Sequence, residues 1–393
     1  MSKVTVLTFA RYYLPGFKAG GPIRTISNMV EALGDEFDFR IICSDRDFMD
    51  GAAYPSVVPA SWIRVGKAWV YYTPPIRWVA LRWLRLLRNT PHDIIYLNSL
   101  FDPNYTLSLL LANRMRGASA RRVVLAPRGE FSVGALGIKS WKKIPFLTAT
   151  KLLGLYRGVI WHASTPGEAA DIQQRMGTSQ HVVVARNFPT KNFLKTCPSV
   201  IHDFGGALRM VFLSRITRMK NLDYALRVLS HCKVNVQFDI WGTLEDRQYW
   251  QECQALMRNM PAHVTVKYCG AAEHSAVANI LSNYDMLFLP TRGENYGHVI
   301  SEALSVGTAV LISNRTFWRN LNHSGVGWDL PLENGEVAFR MAIEEASHKV
   351  KASRLEWRRT VFQFAETQFN DKSLLEANRS VFRHAIDTPA EGV

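Results

Sequence analysis

Short, strongly apolar runs recur along this chain, spaced so that one helix fits between each run and the next. Strand-like runs fall at 4–10, 39–44, 94–98, 122–126, 159–163 and 181–185. A second series falls at 209–214, 234–241, 264–269, 285–289 and 309–313. Strands covered on both faces read as nearly continuous apolar runs, and parallel strands need crossovers long enough to hold a helix. The alternation therefore predicts an α/β fold built on two parallel sheets. Residues 186–206, between the two series, are polar, contain proline and glycine, and lack periodicity, which marks a linker. At 393 residues the chain is long enough for two cores. The predicted domains are 1–190 and 205–370.

Open parallel sheets bind ligands beyond the carboxyl ends of their strands, so the residues just after each strand carry the functional signal. The most informative stretch is 293–302, GENYGHVISE, which follows the run at 285–289 and Pro290. Glu294 and Glu302 stand eight apart around Tyr296-Gly297-His298. That turn leads into a helix over 299–306, which Gly307 stops. A helix start offers backbone N–H groups and a positive dipole end, both of which attract phosphate. Glu302 on the first turns and Glu294 in the loop can accept hydrogen bonds from sugar hydroxyls. A helix end between two carboxylates suits a ligand with a diphosphate in its middle and a hydroxyl-rich group at each side, as in a nucleotide-sugar.

Three other stretches follow strands. Arg215 and Lys220 come after the run at 209–214, with a helix starting near Asn221. Fixed cations there would stabilise the charge that a diphosphate leaving group gains, Arg as a bidentate fork and Lys as a point charge. Gly20 and Gly21 precede Pro22 at the start of a helix over 22–33. A diglycine at such a turn lets backbone N–H groups approach phosphate closely. It is not the G-x-G-x-x-G dinucleotide fingerprint. Arg128-Gly129-Glu130 follows the run at 122–126.

Together these residues resemble the retaining glycosyltransferases of family 4. The pair Glu294 and Glu302 matches that family's E-x7-E signature, and Arg215 and Lys220 match its basic pair. The resemblance implies a GT-B fold, with two Rossmann-like parallel-sheet domains facing each other across a cleft. It also implies that a C-terminal tail from about 370 to 393 packs back on the first domain. It implies that Arg215 and Lys220 hold the donor diphosphate, Glu294 the donor sugar and Glu302 the ribose. Tyr296, Gly297 and His298 would complete the donor site, with Gly20 and Gly21 near the donor phosphates. Many members carry a histidine where this chain has Arg128-Gly129-Glu130. That departure resembles a branch of capsule, exopolysaccharide and lipopolysaccharide transferases. Arg128 and Glu130 are either cleft residues or an Arg–Glu pair that holds a loop. The implied activity is transfer of a sugar, with retention, from a nucleotide-sugar to a hydroxyl of a glycan or lipid-linked glycan acceptor. That acceptor would be an intermediate of surface polysaccharide or lipopolysaccharide. A GT-B epimerase would share the nucleotide site without an acceptor. A silent scaffold would have lost the cations and glutamates that this chain keeps.

Charge and composition narrow the partners. Residues 1–190 hold 24 Lys/Arg against 12 Asp/Glu, nearly the whole net charge of +14. Residues 51–92 contain no acid, and 75–88 carries Arg77, Arg82, Arg85 and Arg88 among Trp78 and Trp83. This basic amphipathic segment suits an anionic membrane surface, a helix packed on the sheet, or a polyanion. No RNP, zinc-finger or helix-turn-helix pattern is present, so no nucleic acid is expected. Five cysteines without a C-x-x-C pair suit a reducing compartment and argue against a zinc site. The first apolar run ends at Arg11, too short for a secretory signal. No stretch of 18 apolar residues is present. The expectation is a cytoplasmic protein, peripheral on the inner face of the plasma membrane. Asp45-Arg46-Asp47 is a D-x-D, the pattern by which single-domain, metal-dependent glycosyltransferases hold a divalent ion. Arg215 and Lys220 already supply the positive charge that such an ion would bring. No metal and no other cofactor is therefore expected, and the D-x-D reads as a polar loop.

Overall fold

The computed structural model describes residues 3–75, 79–117, 121–137, 140–190, 196–198, 206–369 and 371–387. The chain forms two compact units, 1–188 together with 372–393, and 189–371. Most of the expected linker, 186–206, lies outside the described residues.

The first unit runs β1 (Val4–Phe9), α1 (Gly21–Leu33), β2 (Phe37–Ser44), β3 (Trp62–Val65), β4 (Ala68–Thr73) and α2 (Val79–Asn89). It continues with β5 (Ile94–Asn98), a single wide turn over Pro103–Leu107, α3 (Ser108–Arg114), β6 (Arg122–Ala126), α4 (Val133–Gly137) and α5 (Ser140–Leu152). Last come β7 (Val159–Ala163), α6 (Pro166–Met176) and β8 (Val182–Val184). Among the described residues its sheet has eight strands in the order β3-β4-β2-β1-β5-β6-β7-β8. All pairings are parallel except β3 with β4. β5 and β7 are buried at every position, because apolar clusters cover both faces of the sheet. That explains why they read as unbroken apolar runs.

The β3–β4 hairpin was not expected from the apolar pattern. β3 is partly exposed along its length, so its sequence carries little burial signal. Its two-residue turn, Gly66-Lys67, has Gly66 at φ 57°, a conformation that glycine adopts without strain.

The second unit runs β9 (Leu208–Leu213), α7 (Leu222–Ser230), β10 (Val236–Trp241), α8 (Arg247–Met257), β11 (Val264–Gly270) and α9 (His274–Ser282). It continues with β12 (Met286–Leu289), α10 (His298–Ser305), β13 (Ala309–Ser313), β14 (Gly327–Leu330) and the long, kinked α11 (Gly335–Phe369). The strand order is β11-β10-β9-β12-β13-β14, all parallel. β14, short and half exposed at its end, was not expected either. The order reverses between β9 and β12, so the loops after these two strands emerge side by side. Open α/β sheets bind ligands at such a reversal.

The last helix, α12 (Lys372–Asp387), belongs to the first unit. Its Phe382 packs on Phe37, Phe39 and Tyr96. Asn378 donates to the Arg186 carbonyl at 2.8 Å, and Arg379 pairs with Glu36.

Within 75–88, Arg77 and Trp78 lie outside the described residues. Among the described residues, helix α2 spans Val79–Asn89, and Pro75 lies outside it. Trp83 is only 3% exposed, packed edge-on to Phe9 and against Tyr105, with its indole N–H donating to the Asn104 carbonyl. Of the readings of this segment, burial of Trp83 favours the helix packed on the sheet: β1 and the turn after β5 form the pocket that holds it. Arg85 and Arg88 remain exposed.

Candidate functional site

The loop after β9 and the loop after β12 are stitched together. Asn221 enters α7 in the left-handed conformation, φ 61°, and donates its side-chain amide to the Pro290 carbonyl at 2.9 Å. Arg292 donates its backbone N–H to Met219 and its guanidinium to the Asn221 side chain. The Thr291 hydroxyl also reaches the Met219 carbonyl, at 3.1 Å. At the neighbouring strand end, a Cβ on Gly242 would lie 1.8 Å from the Ser214 carbonyl oxygen. Only glycine lets β10 close against the start of the Arg215 loop.

This stitching brings Lys220 and Glu294 together. The Lys220 ammonium is hydrogen-bonded to Glu294, with the two side chains only 11% and 20% exposed. Glu294 lies against the start of α10, where Gly297 takes φ 75°. A Cβ on Gly297 would meet Ile300 at 2.7 Å and Glu294 Cγ at 3.1 Å. The glycine therefore both turns the chain and leaves room for the carboxylate. No side chain caps α10, and the start of a helix favours an anionic ligand through its backbone N–H groups and dipole. Arg358 fixes the far end of α10, donating to the Ser282, Tyr284 and Val306 carbonyls.

The other expected residues sit as follows. Glu302 is 5% exposed on α10 and accepts a hydrogen bond from the Thr190 hydroxyl at 3.3 Å. The Tyr296 ring is buried against Phe317, Trp318 and His298, and its carbonyl accepts the Trp318 indole N–H. Tyr296 and the His298 ring thus shape the turn from beneath, and the backbone at 297–298 forms the helix start. Arg215 is on the same loop as Lys220 but more exposed, and its Nη1 donates to both Glu245 carboxylate oxygens at 3.2 Å.

In the first unit, Gly20 caps α1 with φ 71°, and neither it nor Gly21 carries a side-chain cap. Arg128 and Glu130 do not hold each other. Arg128 donates to Asn98, Asn187 and the Tyr96 hydroxyl, and that hydroxyl meets His162 Nδ1 at 2.8 Å. His162 Nε2 reaches the Ala185 carbonyl. Burial, aided by the Arg128 charge, pushes the His162 pKa down to about 3. Glu130 accepts from the Ser99 hydroxyl and from the Leu100 and Phe101 N–H groups, and burial raises its pKa. Each clamps a loop at a strand end. Asp47, of the D-x-D, accepts three backbone N–H groups, from Phe17, Lys18 and Phe48. Asp45 forks onto Arg46.

Asn221 and Arg292, which clasp the two loops, were not singled out in the sequence. An asparagine at a left-handed helix entry is a readable signal, because its short polar side chain tolerates that conformation. The arginine carried none.

The second unit thus offers a paired cation and carboxylate beside a helix start at a reversal of strand order. Such an arrangement can hold an anionic group and accept hydrogen bonds from hydroxyls. Residues 202–352 match the family described as "Glycosyl transferases group 1". No curated protein matches the chain. Among solved structures, the chain is similar to sucrose-phosphate synthase from Thermosynechococcus elongatus. That match has TM-score 0.71 and 14% identity, over 97% of this chain and 99% of that one. It is also similar to Anabaena HepE in complex with UDP-glucose, with TM-score 0.67 and 16% identity over 97% and 98%. A third likeness is to WaaG, a glycosyltransferase involved in lipopolysaccharide biosynthesis, with TM-score 0.62 and 11% identity over 98% and 100%. These likenesses give the fold, two Rossmann-like parallel-sheet units of the GT-B kind. Residues 202–352 thus carry a group 1 glycosyltransferase domain within a chain of GT-B fold, which supports a transferase enzyme.

Proposed function

We propose that the chain transfers a sugar from a nucleotide-sugar to an acceptor hydroxyl with retention, as a family 4 enzyme of the surface-polysaccharide or lipopolysaccharide branch. The observation that carries this reading is the Lys220–Glu294 pair against the start of α10. In it, Lys220 and Arg215 stabilise the diphosphate as the glycosidic bond breaks. The N–H groups at Gly297 and His298 bind its oxygens, Glu294 holds the donor sugar, and Glu302 the ribose. Gly20 and Gly21 offer backbone N–H groups to the donor phosphates. The chemistry is same-face attack by the acceptor, with the leaving phosphate taking its proton, and uses neither a covalent nucleophile nor a metal. The engagement of Asp45 and Asp47 inside the fold supports metal independence. UDP-glucose in the HepE complex and the lipopolysaccharide role of WaaG support the donor and acceptor classes.

The acceptor in this reading is lipid-linked, and the protein works at the cytoplasmic face of an anionic membrane. No helix among the described residues is long and apolar enough to cross a membrane. Residues 131–167 contain no acid and five Lys/Arg. Along α5 and the turn after it, Trp141, Leu152 and Leu153 are 72%, 84% and 78% exposed. Exposed apolar side chains among basic ones suit anionic lipid. The test is a panel of nucleotide-sugars in thermal shift, followed by transfer to a lipid-linked glycan with the product's anomeric configuration read by NMR. Donor turnover without acceptor, yielding an epimer, would replace transferase by epimerase.

A further inference from the structure

A cavity of about 270 Å³ lies in the first unit, and no role above uses it. Its walls come from the segments after β1, β2, β4 and β5, together with α2. The order of this sheet reverses between β1 and β5, so the cavity opens at the carboxyl ends of strands at a reversal. That is where open α/β sheets take ligands.

Three arginines line it, Arg11, Arg46 and Arg82, beside Tyr12, Trp83 and Tyr105. The carboxylates that also line it are already engaged. Asp47 accepts the three backbone N–H groups described above, and Asp50 pairs with Lys18 at 2.5 Å. The arginines are engaged unequally. Arg46 is held by Asp45 and the Gly51 carbonyl. Arg11 is only loosely paired, 3.7 Å from Asp102, whose other oxygen accepts the Asn104 and Tyr105 N–H groups. Arg82 makes no hydrogen bond or ion pair among the described residues, although it is half-buried. A half-buried guanidinium that makes no ion pair among the described residues keeps its planar fork for a planar or tetrahedral oxyanion. Trp83, locked by its bond to the Asn104 carbonyl, sets the α2 turn that carries Arg82.

We propose that this cavity binds a phosphate or diphosphate group, with Arg82 and Arg11 as its principal donors and Arg46 as a fixed positive wall. On the transferase reading, which this inference deepens, that group belongs to the lipid-linked acceptor. The first unit would then select acceptors by their phosphate before the sugar hydroxyl is presented.

The test uses the full chain and two probes, inorganic pyrophosphate and a short-chain isoprenyl diphosphate, measured by calorimetry. Both are run in a Lys220→Ala background, which disables the second unit's anion site. Binding should persist there and weaken roughly tenfold to a hundredfold in Arg82→Gln and Arg11→Gln, the loss expected for charge-assisted bonds to one phosphate. Arg82→Lys, which keeps charge and fold but loses the fork, should lie between. Tighter binding of the isoprenyl probe than of pyrophosphate assigns the site to a lipid-linked group, and equal binding assigns it to free phosphate. Binding that disappears with Lys220→Ala alone, or that ignores both arginine substitutions, overturns the inference. Arginine-dependent binding in a protein that turns over no donor would leave the cavity standing and refute the transferase reading.

Discussion

Lys220→Ala tests both stability and chemistry, because the ammonium sits in a pair that is nearly dry. Its side chain is 11% exposed and that of Glu294 20%. Breaking a buried pair by deleting one partner typically costs ~3–5 kcal/mol, and the residual exposure here brings this pair below that range, to about 2–3 kcal/mol. In a unit of this size that corresponds to a melting shift of roughly 5–10 °C. The chemical loss is separate. A fixed charge facing the developing diphosphate is worth about 10²–10³-fold in turnover. The double variant Lys220→Ala/Glu294→Ala separates the two effects. It removes the stranded carboxylate, so about 1–3 kcal/mol of stability should return as coupling energy, while transfer stays as low as in Lys220→Ala. Denaturant melts give the first quantity and single-turnover transfer the second. Recovery of activity in the double variant, or wild-type turnover in Lys220→Ala, would refute the role of this lysine as a donor-phosphate cation. A double variant no more stable than Lys220→Ala would refute the pair as a structural unit.

The first unit should lose stability in mild acid. His162 and His92 are pushed down to about 3 and about 4 from 6.5, mainly by burial. A histidine held neutral in the fold stabilises fully above its unfolded pKa, and that contribution fades as pH falls from about 6.5 toward the folded value. By pH 5 each should cost roughly 2 kcal/mol relative to pH 8. Urea melts at stepped pH read this, and a flat profile between pH 7 and 5 would contradict it. Transfer should survive EDTA without loss of turnover; loss restored by magnesium or manganese would reinstate the D-x-D as a metal site. Anionic vesicles should pull the protein down, and high salt should release it, at about 1 kcal/mol per basic residue near the surface. Trp141→Ala with Leu153→Ser should weaken that binding on neutral and anionic vesicles alike, and sedimentation unchanged by these substitutions would remove α5 from the lipid surface.

The strands that cross the middle of each sheet were legible because both faces are buried, which turns a strand into an unbroken apolar run, as at Ile94–Asn98 and Ala309–Ser313. Of the strands that escaped notice, β3 and β14 sit at sheet edges, while β4 lies inside the sheet, paired with β2 and β3. β3 and β14 are half exposed, so burial leaves little mark on their sequence. Helix α2 misled for a related reason. Arg82, Arg85 and Arg88, three apart beside Trp83, suit either an interface or a helix packed on the sheet, and the pocket beneath Trp83 separates the two.

The same contrast holds for the candidate site residues. Lys220 and Glu294 are 74 residues apart in sequence, yet each stands directly after a strand in a motif with its own local signature, and parallel pairing of β9 with β12 makes them neighbours. A site built this way can be read from sequence, because topology does the assembling and each motif identifies itself. Arg11, Arg46 and Arg82 also stand after strands or on the helix that follows one, yet no spacing links them and each alone is an ordinary basic residue. What distinguishes them is how much of each is already bonded, and that depends on Asp45, Asp102 and the rigid Trp83, which only folding brings into place. Recognition by a local motif and recognition by leftover hydrogen-bonding capacity are therefore different kinds of information. The second becomes visible only when every carboxylate that lines the cavity has been assigned a partner and Arg82 is left without one among the described residues.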